Sequence, residues 1–448
     1  MKALPTLLAC GVLAIGVAPF GAARADLLAE ALPGVVWPTG EYKEIRALPP
    51  EVNFYPGWQD SSFAALVGPD HHLRIWFAYW REDGEWFKTA NKVPKVQRWV
   101  QDCIDKKLPA TDRVACLKAN PKQQCIDEWI DTCMDRCAVA PDCARPARGP
   151  VRANKDPNKF NTYVVDLEGD RWSEVRPEDS LNLAKGHHAS AAPLVIGGEP
   201  LWMAVTRGPG SNIWLAGREG AGWAKGSPAP YPVSTACEED EATLVPQDKD
   251  TVRIFFSSTR DPKKATWRDR ADCDGVFRVW QADLRGGEAI DLKRTPLPPG
   301  DGELRKHPWA SPDQREFWWT GTDSDCRQDG VRSIACLYRA ELRDGVYVNK
   351  TLMAIPRPMS LAKDGEVVGL AECNPIPVPQ VGEEWLVCSA WRKRDRAPRR
   401  QFSIVVARKR AGPIVVAGAG APPMKIAPPK AAPAPGADVP KGYRPAGR

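Results

Sequence analysis

Five stretches of this chain repeat one pattern: an apolar strand, a polar turn, a second aromatic-rich strand, a variable loop and a third strand. The first strands begin near Phe63, Ala191, Glu241, Pro308 and Asn374. The second strands read LRIWFAYW (73–80), PLWMAVTR (200–207), VRIFFSSTR (252–260), REFWWTGT (315–322) and EWLVCSAW (384–391). The starts lie 128, 50, 67 and 66 residues apart, and the first interval falls to 56 once residues 88–159 are set aside. Regular spacing of this size marks a repeat architecture. Each unit offers three clear strands and a weaker fourth, such as EAIDLKRTP (288–296). A lone sheet of that size cannot bury both faces, whereas sheets packed around an axis bury one another. Bulky and small residues alternate in RIWFAYW, which suits strands covered on both faces. A β-sandwich with chance similarity is the rival reading, and five units in consistent order argue against it. The expected fold is all-β: a five-bladed β-propeller, six blades being the alternative count, with a small disulfide-rich helical insertion in the first blade.

A family resemblance rests on two of these stretches. SPDQREFWWTGT (311–322) and VRIFFSSTRDP (252–262) followed by GVFRVWQADLRGG (275–287) resemble the TolB-like β-propeller repeats of bacterial envelope proteins. In those repeats a Ser-Pro-Asp-Gly turn joins the first two strands, and the second strand ends in Ser-x-Arg. The resemblance spans most of residues 60–412 and is strongest in the second to fourth units. This chain departs by carrying Gln314 where the repeats carry Gly, and by losing the Pro-Asp turn in the second and fifth units. Such repeats occur in scaffolds, receptors and some hydrolases, so the resemblance implies a fold and no activity.

The ends of the chain speak to compartment. Residues 1–25 place Lys2 before the apolar run LLACGVLAIGVA and end in ARA, the pattern of a secretory signal cleaved after Ala25. A lipoprotein signal cut before Cys10 is the weaker reading, because it leaves only a few apolar residues ahead of the cut. No later run reaches the length of a membrane span. Thirteen Cys include Cys10, and the even remainder in an exported chain reads as disulfides before metal. Cys326 and Cys336 flank one loop of the fourth unit, Cys373 and Cys388 lie on neighbouring strands of the fifth, and Cys237 and Cys273 remain for the third. Cys103, Cys116, Cys125, Cys133, Cys137 and Cys143 fall in the insertion 88–159, which has helical patterns and a formal charge of +6 over its whole length; their pairing is left open. Residues 419–448 hold eight Pro and read as a disordered or polyproline tail. Leader and tail account for the whole net charge of +6, so the body 26–418 is neutral and lacks the basic footprint of a nucleic-acid binder. The expectation is a periplasmic or secreted monomer with no cofactor, no transmembrane span, and an envelope protein or glycan as partner.

In a propeller the loops leading into the first strands open on one face. These are GWQDSS (57–62), GHHASA (186–191), ACEEDE (236–241), RKHPWA (305–310) and AECNPI (371–376). They gather ionisable residues from distant parts of the chain, as a binding or catalytic site requires. Trp58, Asp60, His187, His188, Glu239, Asp240, His307, Trp309 and Glu372 are the candidate ligand-binding residues, with Glu238 and Glu241 in the same loops. The plainer reading is a water-filled polar channel and a solvated acidic loop. The leading functional reading is a non-catalytic exported propeller that binds a protein, peptide or glycan at the channel mouth. The alternative is a glycoside hydrolase with Asp60, Asp240 and Glu372 as candidate catalytic carboxylates, spaced about 5–5.5 Å in a retaining enzyme. A metal site using His187, His188, His307 and an acid ranks third, since no single helix or hairpin fixes the spacing. Gly-rich phosphate loops, nucleophile elbows and zincin helices are absent from the sequence.

Overall fold

Each repeat unit folds as one antiparallel sheet. The computed structural model describes residues 44–48, 52, 57–81, 160–182, 188–208, 211–300, 304–328, 331–332, 336–353, 360–361, 365–393 and 401–409. The leader 1–25, the insertion 88–159 with its six Cys, and the tail 419–448 lie outside them. The first described strand, β1 (Glu44–Ala47), precedes the sheets and is placed below. The first sheet runs β2 (Gly57–Val67), β3 (His72–Arg81) and β4 (Asn161–Glu168), with β5 (Arg171–Trp172) and β6 (Arg176–Pro177) both on the edge of β4. The second runs β7 (His188–Ile196), β8 (Glu199–Arg207) and β9 (Asn212–Glu219), edged by β10 (Gly222–Trp223) and β11 (Ser227–Pro228). The third is β12 (Glu239–Pro246), β13 (Thr251–Arg260), β14 (Cys273–Arg285) and β15 (Glu288–Arg294). The fourth starts with β16 (Arg305–Ala310) and β17 (Glu316–Gly321). A two-stranded ribbon follows, β18 (Arg327–Gln328) on β19 (Val331–Arg332), before β20 (Cys336–Arg343) and β21 (Val346–Met353) complete that sheet. The fifth holds β22 (Ser360–Leu361), β23 (Gly365–Val378), β24 (Glu383–Lys393) and β25 (Gln401–Lys409). No α-helix occurs among the described residues, and none of their helices is long and apolar enough to cross a membrane.

The sheets meet in cyclic order. β2 packs on β7, β7 on β12, β12 on β16, β16 on β23, and β23 returns to β2. This arrangement is a β-propeller. The leading strand β1 pairs antiparallel with β25, Ile45 opposite Val406, so the last sheet takes its outer strand from the start of the described chain. That pairing removes an exposed sheet edge and ties the ends of the ring together. Four residues, EIRA, are too short to announce such a strand in the sequence.

Period-2 alternation builds the core, because successive strand residues point to opposite faces. On β3, Ile75, Phe77 and Tyr79 pack against Ile376, Trp385 and Val387 of the fifth sheet. Trp76, between them, turns the other way onto Met203, Val205 and Trp223 of the second. On β13, Ile254 and Phe256 face Trp202 and Leu215 of the second sheet. Phe255 faces Phe317 and Trp319 of the fourth. Each sheet is thus apolar on both faces, and each large aromatic buried this way stabilises the fold by roughly 1.5–3 kcal/mol before entropy is counted.

The departure at Gln314 has a local explanation. Gln314 takes the left-handed conformation (φ 55°) that Gly adopts without cost. Its N–H donates to Ser311 O at 2.7 Å, closing the turn. Its side chain ties the turn to the third sheet: Oε1 accepts from Arg253 at 3.1 Å, and Nε2 donates to Gln247 at 2.8 Å. These bonds offset a backbone penalty on the order of 1 kcal/mol.

Three disulfides staple individual sheets: Cys237–Cys273, Cys326–Cys336 and Cys373–Cys388. One boundary is corrected. The mouth segments read as loops are largely strand, since β2, β7, β12, β16 and β23 begin at Gly57, His188, Glu239, Arg305 and Gly365. A β-bulge in each first strand breaks the alternation there and hides the strand from a period-2 reading.

Candidate functional site

The bulges place the site. In every sheet two residues of the first strand oppose one residue of the second: Ser61 and Ser62 against Phe77, Ser190 and Ala191 against Val205, Glu241 and Ala242 against Phe256, His307 and Pro308 against Trp319, Glu372 and Cys373 against Cys388. The five opposing residues are all fully buried (0 % exposed). The leading bulge residue is left-handed in four sheets, with φ of 51° at Ser190, 51° at Glu241, 55° at His307 and 56° at Glu372. Only small or locally bonded residues tolerate that conformation cheaply, so Glu, His and Glu at three of these positions need compensating bonds.

Those bonds run from sheet to sheet. The Glu241 N–H, freed by its bulge, donates to Thr206 Oγ1 of the second sheet at 3.2 Å and to Asp240 Oδ1 at 3.0 Å. The Glu241 carboxylate accepts the His307 N–H through Oε2 at 3.1 Å. Its other oxygen, Oε1, lies 3.2 Å from His307 Nε2 and 3.4 Å from Lys306 Nζ. His307 Nδ1 lies 2.9 Å from Glu372 Oε1. Ser389 of β24 donates to Glu372 Oε2 at 2.6 Å. Lys306 also donates to Asp240 Oδ2 at 3.1 Å and sits 4.2 Å from the Phe277 ring centre. One imidazole therefore links glutamates from the third and fifth sheets. The disulfide Cys373–Cys388 joins the second bulge residue to its opposite, fixing Glu372 against Ser389.

Burial governs the electrostatics. It pushes the Glu241 carboxyl up to about 8, against the pull of His307 and Lys306, and the neighbouring Asp240 and Glu372 charges add to the rise. Burial works against the Lys306 ammonium, but Glu241 and Asp240 outweigh it and hold its pKa above the usual lysine range.

The expected residues divide. His307, Glu372 and Asp240 belong to this cluster. Glu239 does not: it is wholly buried against Arg260 at 3.0 Å, and it accepts from Thr235 N–H at 3.0 Å and Ser258 Oγ at 3.2 Å. Its place as a ligand-binding residue is withdrawn, because strand alternation turns it into the third sheet while the bulge turns Glu241 into the channel. His188 is likewise buried, opening β7 opposite Arg207, and is not part of the cluster. Trp309 lies on β16 opposite Trp318, half-buried. Trp58 and Asp60 lie on β2 opposite Trp80 and Ala78; their side chains, and His187 altogether, lie outside the described residues. Glu241, Lys306, Ser389 and Thr206 were not singled out as site residues. Aligning the five first strands on their bulges, rather than on their loops, puts Glu241, His307 and Glu372 in one register.

A cavity of about 410 Å³ opens beside the cluster, lined by Phe277, Arg278, Arg294, Pro298, Pro299 and Arg305 among others. It lies at the same end of the third sheet, for Arg278 is opposite Ser258, and Ser258 is opposite Glu239. Arg278 is held by Asp274 at 2.8 Å, and Arg305 lies 3.7 Å from Asp323. Arg294 has no carboxylate partner among the described residues. Burial and the guanidiniums of Arg278 and Arg305 push its pKa down, and because Arg278 and Arg305 each face one carboxylate, Arg294 leaves the wall with excess positive charge.

No family model matches the chain, and no curated protein matches it. Solved structures similar to it include the NanB sialidase from Streptococcus pneumoniae, at 12 % identity and TM-score 0.33 over 57 % of this chain and 36 % of that one. A subtype N11 neuraminidase-like protein of A/flat-faced bat/Peru/033/2010 shows 9 % identity and TM-score 0.34 over 83 % of this chain and 91 % of its own. TolB from Acinetobacter baumannii shows 12 % identity and TM-score 0.28 over 78 % of each chain. The chain thus spans about a third of the sialidase's length. No family match supports the TolB-like repeat assignment, and likeness at this level says nothing of activity.

Proposed function

We propose that this protein is an exported five-bladed propeller that binds an acidic glycan in the cavity between the outer strands of its third sheet and the start of its fourth, beside the channel cluster, and does not hydrolyse it. The cyclic packing of five first strands supports the blade count, and three disulfides suit an oxidising compartment. The observation that carries the binding reading is the arginine-walled cavity next to Lys306 and Phe277, with Arg294 unpaired among the described residues. Guanidinium forks match carboxylate and sulfate groups. In the cluster beside it both glutamates are turned toward one imidazole, Glu372 with Ser389 and Glu241 with Lys306 as further partners, rather than toward opposite sides of an open gap that a glycosidic bond could enter.

The hydrolase reading keeps one observation in its favour. Two glutamates lie close together, and burial keeps Glu241 protonated near neutral pH, which is the split that acid–base catalysis uses. Titration calorimetry with uronate oligosaccharides, their neutral counterparts and acidic peptides separates the readings. Binding of the uronates alone is expected, weakened about tenfold or more by Arg294→Ala and by added salt. Equal binding of neutral sugars contradicts the proposal. Release of reducing sugar that Glu372→Gln abolishes establishes the hydrolase instead.

A further inference from the structure

Three carboxylates, Asp240, Glu241 and Glu372, share the channel cluster with one ammonium, Lys306. With all three ionised, the state that a bound cation would favour over the protonated Glu241 of the empty cluster, the group carries two surplus negative charges in a space where Glu241 and Glu372 are about nine-tenths buried. Buried charge requires compensation, and the imidazole of His307 supplies at most one unit. A divalent cation supplies two. The donors suit one: an oxygen from each glutamate and a ring nitrogen of His307 all lie within 4.8 Å of one another, on three different sheets.

The surroundings orient the same atoms. In both glutamates Oε2 is anchored to the protein, by the His307 N–H in one case and the Ser389 hydroxyl in the other, at 3.1 and 2.6 Å. In both, Oε1 is turned to the imidazole, Glu241 to Nε2 at 3.2 Å and Glu372 to Nδ1 at 2.9 Å, so a shared ion takes one of these nitrogens and draws the other glutamate's oxygen to it. Anchoring one carboxylate oxygen and presenting the other is how outer bonds orient metal ligands. We propose that Glu241, His307 and Glu372 bind a divalent transition-metal ion of the zinc class. One nitrogen and two carboxylates suit zinc and its neighbours better than calcium, which takes six to eight oxygens. Lys306 lies 3.1 Å from Asp240 and stays with it, so the loaded cluster sums to zero charge. Three protein ligands leave a coordination position for a donor from outside. The site does not depend on which ligand the neighbouring cavity takes.

The test uses the full chain, stripped with chelator, dialysed, and titrated in separate arms with Zn²⁺, Mn²⁺, Mg²⁺ and Ca²⁺. Elemental analysis follows, and circular dichroism confirms the fold of each variant. One Zn²⁺ per chain is expected at this site. Glu372→Gln and His307→Gln each abolish it, Ser389→Ala weakens it about tenfold, and X-ray absorption shows nitrogen and oxygen neighbours without sulfur. Substoichiometric binding of every transition metal by folded protein overturns the proposal. So does stoichiometric binding that Glu372→Gln and His307→Gln leave intact, or a sulfur-ligated metal, which assigns the ion to cysteines elsewhere. A preference for Ca²⁺ or Mg²⁺ over Zn²⁺ also overturns the assigned class.

Discussion

Replacing Arg260 with Met is expected to lower stability by about 3–5 kcal/mol, the cost of leaving a buried partner charge uncompensated. Arg260 and Glu239 are both fully buried in the third sheet. Besides Glu239, the guanidinium donates to the carbonyls of Pro232 and Val233, each at 2.8 Å, and to Ser258 Oγ at 3.0 Å. Three rings enclose it, with Phe256 and Trp267 centred 5.0 Å away and Trp280 5.2 Å away. Met fills much of the volume and provides none of these bonds. Glu239 then keeps only neutral donors, Thr235, Ser258 and the Asn212 amide among them. A loss of less than 1 kcal/mol in urea unfolding contradicts this account of the third sheet. Glu239→Leu combined with Arg260→Met is expected to cost less than Arg260→Met alone, since an apolar pair leaves no charge behind.

Trp319→Ala is expected to cost about 3–5 kcal/mol, the range for truncating a fully buried large aromatic. Trp319 lies between the third and fourth sheets, 5.5 Å from Tyr338 and 6.3 Å from Phe317 between ring centres. It also opposes the bulge that carries His307, so its loss disturbs the strand pair that sets that bulge. The expected signature is a lower unfolding midpoint together with loss of binding at the channel cluster. Val346→Ala, at a position 47 % exposed, is the control and is expected to stay within about 0.5 kcal/mol of the parent. Equal effects from the two substitutions contradict the double-faced packing of the sheets.

Much of the architecture was legible because both faces of each sheet are apolar, and repeated aromatic strands such as RIFFSSTR and REFWWTGT have few other uses. Two disulfide pairs, Cys326–Cys336 and Cys373–Cys388, flank one loop or sit on adjacent strands, so proximity in the chain hints at proximity in space, whereas Cys237 and Cys273 are 36 residues apart and follow only as the pair left over. Other features left no trace. The closing strand β1 is four residues long and carries no pattern of its own. The site was legible only in outline. His307 and Glu372 stand out as ionisable residues near the first strands, yet Glu241 and Glu239 are two residues apart in one acidic run. Unbroken alternation puts such a pair on the same face, and only the bulge after Asp240 separates a channel glutamate from a core glutamate. Lys306 gains its meaning from Asp240 and Glu241 of another sheet, which no local pattern reveals, and Ser389 from Glu372 on the neighbouring strand, a pairing that the bulge hides.

The claim on which the site rests is that one imidazole joins glutamates from different sheets. A double-mutant cycle on chelator-treated protein tests it directly, using His307→Gln, Glu372→Gln and the pair, read by chemical unfolding. Residues in contact at 2.9 Å should be coupled by at least about 1 kcal/mol. Additivity within about 0.5 kcal/mol would mean that His307 and Glu372 do not meet, and that the channel cluster does not form as described.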